Sequence, residues 1–82
     1  MDEIREWIEK NPLRKYRTEQ GIKQFHVAAK IGVGINTIRN WETGANDPRG
    51  ENWQKISWLL GVDDAKKLWK EWRDEFPDKV GR

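Results

Sequence analysis

The chain is predicted to be all-α, a compact set of about six short helices, and three observations carry that prediction. Apolar residues recur at helical steps, no stretch alternates in the two-residue rhythm of a strand, and Gly, Pro and Asn-Pro punctuation cuts the chain into helix-sized pieces. Asp2 caps a first helix that runs through Lys10. Asn11 is an N-cap ahead of Pro12, whose fixed φ suits the first helical position, so a second helix starts there and runs to Gln20, before Gly21. A third spans Lys23 to Ile31 and ends at Gly32, where the chain needs a positive φ that glycine adopts without strain. The fourth, Ile35 to Thr43, has Gly34 at its N-cap and Gly44 at its C-terminal turn. After a polar loop from Ala45 to Arg49, a fifth helix covers Gly50 to Leu60 and stops at Gly61. Asp63 caps a last helix through Phe76, stopped by Pro77, and residues 78–82 form a frayed tail.

The third and fourth helices, joined by Gly32-Val33-Gly34, have the spacing of a helix-turn-helix. Two helices packed steeply across so short a turn need a small residue where their axes cross closest, and Ala28 stands there. Val27, Ile31, Val33 and Ile38 supply the apolar contacts that hold the fourth helix on the third, and Trp41 closes the group one turn later. Asn36, Arg39 and Asn40 face outward, with Ile35 the one apolar exception. A helix face of amides and a guanidinium has the chemistry to address base edges.

Residues on both sides extend the pattern. Leu13-Arg14, Arg17, Gly21, Gln24, Ala28, Lys30, Gly32-Val33, Thr37-Ile38, Trp41-Glu42-x-Gly44, Pro48, Glu51-Asn52, Lys55-Ile56 and Leu60-Gly61-Val62 together resemble the Cro and phage-repressor-like (XRE-type) helix-turn-helix family. The resemblance covers residues 11–62. It implies a lambda-repressor-like DNA-binding core that works as a homodimer, at least on DNA, on a pseudo-palindromic operator. Residues 1–10 and 63–77 are then an added N-terminal and an added C-terminal helix on a single domain, as expected for 82 residues when domains run from about 50 to 250.

Composition agrees. The formal net charge of +2 is mild for a nucleic-acid binder, but its distribution is informative. Residues 1–10 carry −2, residues 11–62 carry +4 and residues 63–82 are neutral, so the positive excess lies in the part that resembles the DNA-binding core; ordinary surface variation is the competing reading. Six Trp compensate for the modest core that so short a chain can bury. The absence of Cys removes disulfides and thiolate metal sites and is compatible with the cytoplasm, where a protein bound to the nucleoid is expected to act. Apolar runs are too short for a membrane span, and the opening residues are acidic where a secretory signal is basic, so neither is expected. A lone His26, no Cys and no Gly-rich loop followed by Lys-Ser or Lys-Thr argue against an enzyme, and no metal or cofactor is expected.

Lys23 and Gln24 open the third helix, whose free amides and partial positive charge suit a phosphate. The resemblance implies that Gln24 clamps the DNA backbone and braces the reading helix. Residues 34–40 are expected in the major groove. Asn36 is the leading base reader, because an amide pairs with adenine N6 and N7, while Ile35 meets a thymine methyl. Gly34 and Thr37 lie beside them, Thr37 as a phosphate neighbour. Arg39 and Asn40 reach farther, and spacing does not separate guanine readout by Arg39 from phosphate neutralisation. Arg14, Lys15, Asn46 and Arg49 are expected to contact the backbone and set register, Arg49 near the minor groove. Asp47 departs from the family, where a basic residue is common; an acid there weakens binding unless it turns away to cap the next helix. Phe25 and His26 also depart, Phe25 being either an exposed ring or a contact to DNA sugar. Arg17 and Glu42 match positions that the family couples as a partly buried ion pair.

Trp53, Ile56 and Leu60 form the inward stripe of the fifth helix, which leaves Trp58 off it as an interface candidate. Ile4, Trp7 and Ile8 form a second stripe, and Leu68, Trp69, Trp72 and Phe76 a third. The simplest account packs the terminal helices on the domain and on each other; the sharper one uses Trp58, Trp69, Trp72 and Phe76 to join two subunits. The function expected is sequence-specific binding of double-stranded DNA by a transcriptional repressor or regulator of bacterial, phage or mobile-element type. The alternative is an antitoxin or protein-binding adaptor that uses the Trp-bearing helices.

Overall fold

Asp2, Asn11 and Asp64 each open a helix by the same device, a side-chain oxygen that accepts backbone N–H groups of the first turn. In the computed structural model, which describes residues 2–77, six helices follow in order: α1 (Glu3–Glu9), α2 (Pro12–Gln20), α3 (Gln24–Ile31), α4 (Ile35–Thr43), α5 (Asn52–Leu60) and α6 (Ala65–Asp74). No strand forms among the described residues. The tail expected at residues 78–82 lies outside them.

Several boundaries differ by one or two residues from the sequence expectation: α1 ends at Glu9 rather than Lys10, α3 starts at Gln24 rather than Lys23, and the shifts in α5 and α6 have local reasons. Gly50 adopts φ +55°, which no α-helix accommodates, so residues 49–52 close a tight turn and α5 starts at Asn52. Asp64 rather than Asp63 is the N-cap of α6, its Oδ1 accepting the Lys67 N–H. At the other end, α6 gives way after Asp74 to a tighter turn in which Phe76 N–H donates to Arg73 O.

The core collects one face of every helix. Leu13, Val27, Ala28, Ile31, Ile38, Trp41 and Ile56 are buried together. Polar side chains fasten helices to one another as well. Asn11, fully buried, accepts the Leu13 and Arg14 N–H groups and donates to Trp41 O, which ties the start of α2 to α4. Lys55 donates to Ile31 O at the end of α3, and Ser57 Oγ accepts the Ala65 N–H at the start of α6.

The terminal helices meet through two tryptophans. Trp7 of α1 and Trp72 of α6 stack with ring centroids 3.9 Å apart and planes 5° from parallel. Each indole N–H donates to the other residue's carbonyl, at 2.6 and 2.7 Å. Phe76 abuts Trp7 edge-on, and Trp69 lies edge-on to both Trp53 and Trp72. This fits the simpler account of the Trp stripes, packing within the chain, rather than the sharper one in which Trp69 and Trp72 join two subunits. These two residues are 1% and 3% exposed, Trp72 covered by Trp7 of α1 and Trp69 packed against Trp53 of α5. Trp58, at 72%, and Phe76, at 43%, remain accessible.

Candidate nucleic-acid interface

The turn between α3 and α4 is built on Gly32, which ends α3 in the left-handed region at φ +88°. From there Gly34 caps α4 with extended backbone and no side-chain bond, and α3 likewise starts at Lys23 without a side-chain cap. The amino end of α3, which was expected to meet a phosphate, and that of α4 are thus, like that of α5, free of the capping side chains that α1, α2 and α6 carry.

The outward face of α4 presents Asn36, Arg39 and Asn40 exposed, with Ile35 and Thr37 half-buried beside them. These side chains are connected to the interior. Arg17 donates from Nε and Nη2 to the two carboxylate oxygens of Glu42, both at 2.9 Å, and Glu42 is only 1% exposed. Arg14 Nη1 lies 3.9 Å from the same carboxylate. Gln24 Nε2 donates to Glu42 Oε1 at 3.1 Å, and Gln24 Oε1 accepts from Arg39 Nε at 3.4 Å. Arg39 Nη1 in turn donates to Asn36 Oδ1 at 3.3 Å. A chain of polar contacts therefore runs from α2 through the buried carboxylate to Gln24 on α3 and out to Asn36 on α4. It orients the Arg39 guanidinium and the Asn36 amide before anything binds, and leaves Asn36 Nδ2 outside the internal contact.

The loop after α4 continues this face. Asn46 N–H donates to Asn40 O at 3.2 Å, so the loop folds back on the end of α4, and Asn46 and Arg49 are exposed. Lys23 is exposed at the start of α3, next to Gln24. Lys15 stands apart: it borders the groove of α2 with α6, beside Tyr16, Leu68 and Glu71, and has no part in the network. Phe25 is exposed and tilted against His26.

For Asp47 the structure shows a third arrangement, neither an unpaired acid nor a helix cap. It does not cap α5, which starts without a side-chain bond, but pairs with Arg73 of α6 at 2.6 Å. Arg73 was not singled out in the sequence, because a residue 26 positions from its partner leaves no local signal. Neither did local pattern separate Asn11 from an ordinary N-cap, although its amide also braces α4. Among the described residues no group of His, Cys, Asp and Glu is placed to hold a metal ion, and no helix is long and apolar enough to cross a membrane.

This arrangement of an uncapped α3, a Gly turn and an outward polar α4 is that of a helix-turn-helix. The chain belongs to the helix-turn-helix family of Cro and phage-repressor-like DNA-binding domains, whose profile matches residues 13–66, from α2 into the first turn of α6. It is also similar to a transcriptional repressor, the RstR protein of the cryptic phage CTXphi of Vibrio cholerae, with 38% identity over 50 residues. The matched stretch takes up 61% of this chain and 45% of that repressor, so the chain spans under half the length of this relative. No solved structure matches the chain.

Proposed function

We propose that the protein is a transcriptional regulator, in its simplest form a repressor, that binds one double-stranded DNA sequence by placing α4 in the major groove. The observation that carries this reading is the polar chain from Glu42 to Asn36, because it preorganises an exposed amide and guanidinium without giving them any partner farther out. In this reading Asn36 pairs with adenine, Ile35 meets a thymine methyl, and Arg39 and Asn40 extend the contact. Lys23, Gln24, Gly34 and Thr37 hold the phosphates at the two helix starts, while Arg14, Asn46 and Arg49 set register. The 38% identity over 50 residues to a phage repressor supports the repressor assignment. Two chains on a pseudo-palindromic operator would bring two α4 helices to successive major grooves about 34 Å apart. Such a protein acts in the cytoplasm, on the nucleoid.

Selection of binding sites from random duplex DNA with the purified protein tests the reading. The expected result is a short palindromic consensus, bound with an affinity that falls steeply with salt, at a slope of roughly −3 to −4 in log K against log salt per chain. Recovery of no consensus, or a salt-insensitive interaction, would overturn it. A stable complex with a co-expressed protein through Trp58, in place of DNA binding, would instead favour an antitoxin or adaptor, for which the 72% exposure of that indole is the supporting observation.

A further inference from the structure

Arg73 sits in the last turn of α6, outside the helix-turn-helix, yet its guanidinium is aimed at the loop that leaves α4. Nε and Nη2 both donate to Asp47 Oδ1, at 2.8 and 2.6 Å, and Nη2 also donates to Gly44 O at 2.6 Å. The guanidinium carbon lies 5.7 Å from the centroid of the Trp72 ring, within cation–π reach of a ring that is itself buried in the α1–α6 contact. Lys70, which borders the same groove, pairs with Asp74 instead. Arg73 is therefore the cation that answers Asp47.

Asp47 is the one acid between Thr43 and Gly50, and it stands between Asn46 and Arg49 on the loop that folds back on Asn40. An unneutralised carboxylate there would repel phosphates approaching the two neighbours. We propose that Arg73 is a positioning residue for DNA binding, acting through Asp47. It cancels that charge and, through Gly44 O, anchors residues 44–49 from α6, so that Asn46 and Arg49 meet the duplex without an opposing acid. This rests on the face formed by α4 and its following loop being the DNA interface.

The test is a double-mutant cycle on the selected duplex: wild type, Arg73→Ala, Asp47→Asn and the double variant, each measured over a range of salt. Arg73→Ala is expected to weaken binding about tenfold, the effect of one uncompensated charge. Asp47→Asn alone should bind within about threefold of wild type or tighter, and the double variant should recover most of the loss. If Arg73→Ala does not fold, Arg73→Gln is paired with Asp47→Asn in its place, and Arg73→Lys, which keeps the charge, should stay near wild type. Undiminished binding by Arg73→Ala would overturn the proposal. So would a loss that Asp47→Asn fails to rescue, especially one with a salt slope shallower by about 1, the sign of a direct phosphate contact. A wild type that selects no duplex would overturn the functional reading itself, whereas a wild type that binds while the rescue fails would overturn only the role of Arg73.

Discussion

Glu42 is the residue that links the proposed interface to the core. A carboxylate 1% exposed is tolerated because Arg17 grips both its oxygens and Gln24 donates a third hydrogen bond. Arg17→Ala strands that charge. Since Arg14 remains 3.9 Å away and the Arg17 side chain is 16% exposed, the expected loss is about 2–4 kcal/mol, at or below the range for a wholly buried pair. Urea unfolding measures it, and unchanged stability combined with abolished DNA binding would show that Arg17 serves the DNA instead. Asn36→Ala should behave oppositely. It removes an exposed side chain, so the midpoint of unfolding stays put, while discrimination between the selected sequence and a variant at the contacted base falls by about 1–3 kcal/mol with an unchanged salt slope. At this scale the sequence revealed which residue types face outward from α4. It did not reveal that Gln24 bridges Glu42 and Arg39, because that contact joins α3 to two positions on α4, and the relative placement of the two helices is a property of packing.

Gly44 shows how an element's end is chosen by what lies against it. Its φ of +83° closes α4, and a Cβ there would stand 2.7 Å from the Trp7 ring. Gly32 has a similar φ of +88°, but a Cβ there meets nothing within 4 Å. Gly44→Ala is accordingly expected to destabilise by about 2–4 kcal/mol, backbone strain plus overpacking, and Gly32→Ala by only about 1 kcal/mol, as thermal or chemical unfolding would register. Equal losses would mean that the Trp7 contact yields easily. The two buried tryptophans of α6 offer a second comparison. Trp72 Nε1 donates to Trp7 O, whereas Trp69 Nε1 is buried with no acceptor among the described residues. Trp72→Phe should therefore cost about 1–2 kcal/mol more than Trp69→Phe, an indole hydrogen bond being lost on one side only.

For the whole molecule, the terminal helices close on each other and on the end of α4, so the large apolar residue most open to a second chain is Trp58. Sedimentation with and without the selected duplex should find two chains per operator. Trp58→Ser should weaken that pairing while shifting folding stability by no more than about 0.5 kcal/mol, as for a surface position. Pairing that survives the change would move the contact elsewhere. The sequence by itself determined the helical class, the helix limits to within a residue or two and the helix-turn-helix, because caps, Gly and Pro stops and apolar spacing are local and act within a few residues. Only the tertiary structure decided that Trp7 and Trp72 clamp the chain ends together, that Asp47 answers to Arg73, and that Lys15 stands apart from the network. These outcomes depend on the angles at which helices pack. A helical stripe shows that a face is to be covered but does not name the partner, since apolar burial has no direction and several surfaces satisfy it equally until the whole chain is assembled.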